Sequence, residues 1–274
     1  MRFTASLMAL VIALCASHAT AQPKGEIKGT ASQHTPASLA AAIANASLVL
    51  PASVTGAGVF KGRFADAPTT KGSAPVVIFL HGSSGLALAA IGEWQSWLAT
   101  LGVASVAPDS FALPDRITYT SPVDKGTYEK IHALRAAEID AAIAAVKRQP
   151  WADGKRVLLA GTSEGAVAVA RYRGEAFAGR MIFAWSCEPN YFVTEPGNGF
   201  GGQEPVLNVI SSADPFFSPS NAWLGNAAAK GHCAEALAGN KNAVIVLIPG
   251  APHTLLNLPA ARGATASFIA ETTK

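Results

Sequence analysis

Residues 155–171 hold the feature that most limits how this chain can fold: an apolar run, the pentapeptide Gly161-Thr162-Ser163-Glu164-Gly165, and an Ala-rich stretch. The apolar run at 157–160 predicts a buried strand, and the Ala-rich stretch predicts a helix. A G-x-S-x-G sequence between a strand and a helix predicts a turn so sharp that the residues flanking the serine must lack side chains. Such a turn would present the Ser163 hydroxyl above the edge of a sheet. Taken alone, the pentapeptide also fits a plain turn that closes a strand.

The rest of the chain alternates between apolar runs and helical patterns. Besides the strand at 157–160, the sequence predicts strands at 47–54, 58–64, 76–80, 104–107, 181–185, 206–210 and 244–248. It predicts helices at 35–46, 88–101, 127–148 and 259–271. Continuous apolar strands between helices indicate a parallel sheet covered on both faces. The expected fold is therefore α/β, with a mostly parallel sheet of eight strands, the first two of which form a hairpin.

Composition excludes several classes of protein. Half of the 274 residues are hydrophobic and 14% are charged, as expected for a compact domain with a buried sheet. The formal net charge is +3 and no run of Lys or Arg occurs, so nothing indicates binding to nucleic acid. The sequence contains no H-E-x-x-H and no Cys-rich metal spacing, and we expect neither a metal nor a cofactor. Without a repeat or a linker, residues 22–274 are expected to form one domain.

The first 21 residues have the pattern of a signal peptide. Arg2 provides the positive charge, residues 7–15 are apolar, and Ala19-Thr20-Ala21 is a small-residue cleavage site. About nine strongly apolar residues are too few to span a bilayer, so no stable membrane insertion is expected after cleavage. A lipoprotein site at Cys15 is disfavoured because Leu14 is too large for that processing. The mature chain is expected to be exported, to the periplasm or the medium.

Export affects how the two remaining cysteines are interpreted. Cys187 and Cys233 would meet an oxidising compartment, where a disulfide is the expected state. The competing interpretation, a thiol nucleophile, is disfavoured because neither cysteine lies on an elbow-like turn.

Two residues stand where an activated serine would need partners. A serine hydroxyl is a weak nucleophile until a base takes its proton and a carboxylate orients that base. Asp214 follows the predicted strand at 206–210, and His253 follows the one at 244–248. The carboxyl ends of parallel strands gather such groups at one edge of a sheet. The chain order Ser163, Asp214, His253 is the order that the strand–elbow–helix architecture requires.

Other residues compete for these roles. Glu188, just beyond the strand at 181–185, is the alternative acid. His34, His132 and His232 are weaker candidates for the base, because they lie on helical or polar stretches. Asp109 is expected to anchor its own loop.

Acyl transfer also requires donors for a developing oxyanion. The first expected donor is the backbone N–H of Glu164, directly after the serine. The second is the N–H of Ser83 in His81-Gly82-Ser83-Ser84-Gly85, where glycines let the loop approach a substrate closely. His81 is expected to hold this loop in place, and the Glu164 side chain receives no role from the sequence.

From Pro75 to its end the chain resembles the α/β-hydrolase superfamily, within it the dienelactone-hydrolase-like branch. The motifs that carry the resemblance are HGSSG at 81–85, APDSF at 107–111, GTSEG at 161–165, SSADP at 211–215 and GAPH at 250–253. The resemblance implies an α/β-hydrolase fold with Ser163 as nucleophile, His253 as base and Asp214 as orienting acid. It also implies Ser83 and Glu164 as backbone donors and no cofactor.

Two departures from that branch bear on the substrate. Dienelactone hydrolases carry cysteine where this chain has Ser163, and they have a glutamate, absent here, after the strand at 76–80. Both departures favour ordinary small-molecule esters over dienelactones. The alternatives are a peptidase of the prolyl-oligopeptidase type, although nothing in this sequence indicates the accessory domain that such enzymes often carry, and a non-catalytic binding protein.

The pocket is expected to be open. Too few residues separate the strands at 181–185 and 206–210 for a helical lid. The candidate wall residues are aromatic: Trp185, Tyr191, Phe192, Phe216 and Phe217.

Overall fold

The structure is a computed structural model that describes residues 24–174 and 177–274. The predicted signal peptide, residues 1–21, lies outside the described residues. Among the helices of the two described ranges, none has the length and apolar character that crossing a bilayer requires.

Most strands of the described chain belong to one sheet. In chain order the strands are β1 (Ile27–Lys28), β2 (Ser47–Leu50), β3 (Phe60–Arg63), β4 (Ala74–Leu80), β5 (Ala104–Ala107), β6 (Thr118–Tyr119), β7 (Ala152–Thr162), β8 (Gly179–Phe183), β9 (Val206–Ser211) and β10 (Ala243–Ile248). Eight of them lie in the spatial order β10-β9-β8-β7-β4-β5-β2-β3. The strands from β10 to β5 are parallel, and β2 and β3 are antiparallel at one edge. The mostly parallel sheet of eight strands is confirmed.

Helices cover both faces of this sheet. They are α1 (Pro36–Ala44), α2 (Ala52–Thr55), α3 (Ala89–Thr100), α4 (Lys125–Val146), α5 (Glu164–Arg171) and α6 (Pro259–Thr272). Residues of α1, α4 and α5 belong to the apolar cluster on one face, and residues of α3 and α6 belong to the cluster on the other. Asp124 caps α4 by accepting a hydrogen bond from the Thr127 N–H at 2.9 Å, which ends the preceding loop and starts the helix.

The central strand β4 shows why its sequence is apolar throughout. Val76 and Ile78 lie in the cluster on the α4 side, whereas Val77 and Phe79 lie in the cluster on the α3 side. Successive side chains of a strand point to opposite faces, so a strand covered on both faces needs an apolar residue at every position.

The structure differs from the sequence prediction near the start of the sheet. The strand predicted at 47–54 ends at Leu50, and Ala52–Thr55 forms the short helix α2. Pro51 lacks an N–H for the sheet, and its carbonyl accepts the N–H of Val54 at 3.0 Å, which turns the chain into a helix. The predicted pairing of β2 with β3 is nevertheless present.

The first described residues, for which the sequence predicts no strand or helix, also have regular structure. In the structure Ile27 and Lys28 pair with Tyr119 and Thr118 as a small antiparallel sheet. This pairing ties the start of the described chain to the loop between β5 and α4.

Cys187 and Cys233 form a disulfide. It connects the loop after β8 to residues 212–242, which form neither helix nor strand. Cys233 is also held by its N–H, which donates to the side-chain oxygen of Asn208 on β9 at 3.1 Å. The cross-link therefore fastens the segment that includes Asp214 to the end of the sheet.

Candidate active site

Ser163 occupies the sharp turn between β7 and α5. Its backbone has φ 54° and ψ −119°, a left-handed conformation that non-glycine residues avoid at a cost of about 1–3 kcal/mol. A Cβ atom on Gly161 would lie 2.7 Å from the carbonyl of Gly165, and one on Gly165 would lie 2.3 Å from the carbonyl oxygen of Leu80. A side chain at either position would therefore clash with the backbone, so both positions require glycine. This agrees with the prediction from the G-x-S-x-G pentapeptide. The surrounding structure holds the serine in a strained turn.

Asp214 and His253 meet at the same edge of the sheet. Strands β9 and β10 are parallel neighbours, so the loops that follow them leave in the same direction. The Nδ1 atom of His253 lies 2.7 Å from Oδ2 of Asp214. The other carboxylate oxygen accepts the N–H groups of Phe216 at 2.9 Å and Phe217 at 3.0 Å. A fully buried carboxylate thus holds the imidazole with its proton on Nδ1, which leaves Nε2 free to accept a proton.

Ser163, His253 and Ser83 line one cavity of about 290 Å³. The ring of Phe216 packs edge-on against the imidazole of His253, with centroids 4.6 Å apart. No hydrogen bond joins Ser163 to His253 in this structure; hydrogen bonds between catalytic groups are often long before substrate binds. The structure therefore brings the serine and the histidine to one cavity and joins the histidine to the aspartate.

Four of the five predicted aromatic wall residues line this cavity. Tyr191, Phe192, Phe216 and Phe217 contribute to its surface, whereas Trp185 packs behind Phe217 with ring centroids 4.9 Å apart. The other main wall residues have no signal in the sequence and come from three separate parts of the chain: Leu88, Tyr119, Ser121, Thr254 and Leu256. Among the described residues that line the cavity, none is Asp, Glu, Lys or Arg.

The residues of the two expected oxyanion donors both lie near the serine. A Cβ atom on Gly82 would lie 3.3 Å from Cβ of Ser163, so the backbone before Ser83 passes directly beside the serine. Glu164 is the first residue of α5. In the part of the chain that the structure describes, neither the Ser83 N–H nor the Glu164 N–H has a hydrogen-bond acceptor. Both groups are free to bind an oxygen atom of a ligand.

His81 holds the loop that carries Ser83. Its Nδ1 lies 2.7 Å from the carbonyl oxygen of Gly82, and its Nε2 accepts the N–H of Ser110 at 3.2 Å. Burial lowers the pKa of this imidazole well below its usual value, and the nearby Arg135 guanidinium lowers it further. His81 is therefore neutral and structural, in the role that the sequence suggests for it.

The Glu164 side chain has partners that the sequence did not reveal. It is buried, and its Oε1 accepts a hydrogen bond from Nη2 of Arg116 at 2.6 Å. Arg135 lies 3.8 Å from the same oxygen and 3.3 Å from Glu138, which in turn contacts His34 at 3.2 Å. Two arginines and two glutamates thus balance one another inside the domain, as buried charges must.

Comparisons with known proteins identify the fold. No protein-family model matches the chain, and no curated protein matches it in sequence. Among solved structures it is similar to a protein from Klebsiella pneumoniae subsp. pneumoniae assigned as a dienelactone hydrolase, with a TM-score of 0.53, 17% identity and coverage of 82% of this chain and 97% of that chain. The fold is that of the α/β hydrolases.

Two further structures share this α/β-hydrolase fold. A dienelactone hydrolase-like promiscuous phosphotriesterase from metagenomic libraries has a TM-score of 0.53 and 18% identity, covering 74% of this chain and 89% of that chain. Est1E from Butyrivibrio proteoclasticus has a TM-score of 0.50 and 18% identity, covering 83% of this chain and 93% of that chain.

Within the α/β-hydrolase fold, the competing candidate residues have other roles. The carboxylate of Glu188 accepts the N–H groups of Lys230 at 2.7 Å and Gly231 at 2.9 Å, so it anchors a loop. Asp109 caps a short 3-10 turn through the Phe111 N–H, as the sequence suggests. The other histidines considered as the base, all within the described residues, line no part of the cavity: His34, His132 and His232.

Among residues 24–174 and 177–274, no cluster of three or more His, Cys, Asp or Glu side chains is arranged to hold a metal ion.

Proposed function

We propose that this protein is a serine hydrolase that cleaves small, uncharged carboxylic esters through an acyl-enzyme. The observation that carries the proposal is a serine in a strained strand–helix turn that shares a cavity with an imidazole held by a buried carboxylate at 2.7 Å. Hydrolases are also among the proteins that share the fold, including the dienelactone hydrolase-like phosphotriesterase. Such a site has a nucleophile, a base and an orienting acid in the arrangement that acyl transfer uses.

In the proposed reaction, Nε2 of His253 takes the proton from Ser163 as the serine oxygen attacks the ester carbonyl carbon. The carbonyl oxygen becomes an oxyanion, which the N–H groups of Ser83 and Glu164 bind. The tetrahedral intermediate expels the alcohol, which receives the proton from His253, and an acyl-Ser163 ester remains. Water then attacks this ester and gives a proton to His253, which passes it to the departing Ser163 oxygen as the acid product leaves. Asp214 keeps the imidazole oriented and stabilises its positive charge in both steps.

The walls of the cavity support the choice of substrate class. Its volume of about 290 Å³ suits a small molecule, and its walls are aromatic, aliphatic or neutral polar. A carboxylate or ammonium group on the substrate would lose its hydration there without gaining an ionic partner. Uncharged esters are therefore favoured over esters that carry a charge near the scissile bond.

The test is hydrolysis of p-nitrophenyl acetate by residues 22–274 and by the Ser163→Ala variant. We expect at least a 1000-fold loss of kcat in Ser163→Ala, since removal of a triad member leaves only the oxyanion donors and binding. Ser96→Ala is the matched control, because Ser96 is a partly exposed serine on α3, outside the lining of the cavity, whose hydroxyl donates to the Gly92 carbonyl. Equal rates in wild type and Ser163→Ala would remove Ser163 from the mechanism.

Two other measurements address the competing functions. A p-nitroanilide of an amino acid hydrolysed faster than any ester would indicate a peptidase. Failure of a fluorophosphonate to label Ser163 would indicate a binding protein, because labelling requires an activated nucleophile.

We also propose that the chain is exported after removal of residues 1–21. The disulfide between Cys187 and Cys233 supports this proposal, since disulfides persist in oxidising compartments. The test is the N-terminal sequence of the protein recovered from the periplasm or medium of an expressing bacterium. A chain that begins at Gln22 is expected; a full-length chain found only in the cytoplasm would contradict it.

A further inference from the structure

Arg116 links Glu164 at the elbow to Ser110, the residue whose N–H binds His81 at the start of the other donor loop. The residue is 5% exposed, and its guanidinium makes three hydrogen bonds. Nη2 donates to Oε1 of Glu164 at 2.6 Å, Nε donates to Oγ of Ser110 at 2.8 Å, and Nη1 donates to the carbonyl of Ile117 at 2.9 Å. A planar guanidinium presents these donors in a fixed arrangement, so the three partners are held at fixed positions relative to one another.

On one side the chain of contacts leads to Ser83. The N–H of Ser110 donates to Nε2 of His81, so the proton of this neutral imidazole is on Nδ1, and Nδ1 donates to the Gly82 carbonyl. The peptide bond between Gly82 and Ser83 is trans, as only Ser121-Pro122 is cis in the described chain. In a trans peptide the carbonyl oxygen and the following N–H point in opposite directions. By holding the Gly82 oxygen, His81 therefore sets the direction of the Ser83 N–H.

On the other side the contacts lead to the elbow. Glu164 follows Ser163 directly, and its own N–H is the other proposed donor. Its side chain is completely buried, and its Oε1 accepts a hydrogen bond from Nη2 of Arg116. A displacement of this carboxylate would displace the first residue of α5 and with it the N–H.

We propose that Arg116 is a positioning residue that sets the two oxyanion donors relative to each other, through Glu164 at the elbow and through Ser110 and His81 at the loop. This inference rests on the proposed function. Oxyanion donors act only if they are placed correctly before the reaction begins, and the loss of one donor lowers kcat by about 100- to 1000-fold. A guanidinium that fixes both donors therefore contributes to the transition state without touching the substrate.

The test compares Arg116→Met with wild type on p-nitrophenyl acetate. We expect kcat to fall by about 10- to 100-fold with KM changed less than twofold, because the lost interaction acts in the transition state and not in substrate binding. A trifluoromethyl ketone forms a hemiketal with Ser163 whose oxyanion uses the same donors, so its Ki should rise by the same factor as kcat/KM falls. The matched secondary alcohol has a hydroxyl group in place of the ketone carbonyl and forms no oxyanion. Its Ki for the variant should stay within twofold of its Ki for wild type.

Arg116→Met removes the closer of the two arginines that pair with the buried Glu164 carboxylate and leaves Arg135, at 3.8 Å, so this single variant is expected to lose stability. The double variant Arg116→Met/Glu164→Gln removes both charges together and is expected to fold and to show the same loss of kcat. Arg171→Met is the matched control: Arg171, on α5, forms an ion pair with Glu129 at 2.6 Å and has no contact with either donor loop. Its kcat should equal that of wild type.

The outcomes separate the inference from the proposed function. A double variant that folds and keeps kcat within twofold of wild type overturns the role of Arg116. Equal weakening of the ketone and the alcohol also overturns it, because that result indicates a general structural defect. Wild-type protein that neither hydrolyses the ester nor reacts with a fluorophosphonate overturns the proposed function, and the inference fails with it.

Discussion

The carboxylate of Asp214 is shared between His253 and its own loop: Oδ2 lies 2.7 Å from Nδ1 of the imidazole, and Oδ1 accepts two backbone N–H groups. Substitution Asp214→Asn keeps the shape of this side chain but places an amide where the imidazole needs an acceptor. The imidazole would then turn or change its tautomer, and we expect kcat to fall by about 10⁴-fold, as for orienting acids in such triads. The measurement is kcat for p-nitrophenyl acetate.

Glu188→Gln is the control for that prediction, since Glu188 was the alternative acid. It binds the N–H groups of Lys230 and Gly231 and lines no part of the cavity. We expect kcat within about threefold of wild type. If Glu188→Gln lost as much kcat as Asp214→Asn, the assignment of Asp214 as the orienting acid would be wrong.

The glycines at the elbow provide a stability prediction. Gly165→Ala places a Cβ atom 2.3 Å from the Leu80 carbonyl oxygen, a contact that only movement of α5 away from the sheet can relieve. We expect the free energy of unfolding in urea to fall by more than about 3 kcal/mol. Gly263→Ala is the comparison, because Gly263 lies inside α6 with no atom within 4 Å of its Cβ position. That variant should be more stable by about 0.5–1 kcal/mol; equal effects of the two would contradict the proposed contact.

The disulfide provides a third prediction. It joins residues separated by 46 positions, and on the chain-entropy model its loss lowers the free energy of unfolding by about 3–4 kcal/mol. Cys187→Ser/Cys233→Ser should show that loss in urea denaturation. The intact mass of the wild-type protein should rise by about two mass units on reduction under denaturing conditions. An unchanged mass would mean that the two thiols are not paired.

Stability should also depend on pH through His132. Burial lowers the pKa of this imidazole to about 4, and the ring nitrogen Nε2 lies 3.0 Å from the carbonyl oxygen of Phe192, to which it donates. In the unfolded chain the imidazole binds a proton below about pH 6.5, whereas in the folded protein it does so only near pH 4. The free energy of unfolding should therefore fall by up to about 3 kcal/mol as the pH decreases from about 6.5 to about 4.

The measurement is urea denaturation at pH 7 and pH 4.5 for wild type and for His132→Gln, whose amide keeps a donor for the Phe192 carbonyl but does not titrate. The difference between the two pH values should be smaller in the variant. It should not vanish, because burial lowers the pKa of His81 in the same direction. A variant with the same pH dependence as wild type would show that His132 is not the titrating group.

Local patterns account for the parts of the fold that were predictable. Strand β4 is apolar at every position because both of its faces are covered, and this property is visible in the sequence. The two glycines at 161 and 165 are required by contacts with their own turn and with the neighbouring strand, so they too leave a local signature. The end of β2 was predicted wrongly because the apolar run continues past Pro51, and only the missing N–H of that proline marks the boundary.

The sequence by itself determined the alternating strands and helices and the elbow at Ser163, because each depends on neighbours a few positions away. It also indicated Asp214 and His253, because each follows shortly after an apolar strand. Only the tertiary structure decided that Arg116 binds Glu164 across 48 positions, that His81 is held by Ser110, and which side chains line the cavity. Charged side chains have no periodic pattern that identifies a distant partner. Their pairing is set by which loops the sheet brings to the same edge, and the low dielectric of the interior then requires that each buried charge be matched.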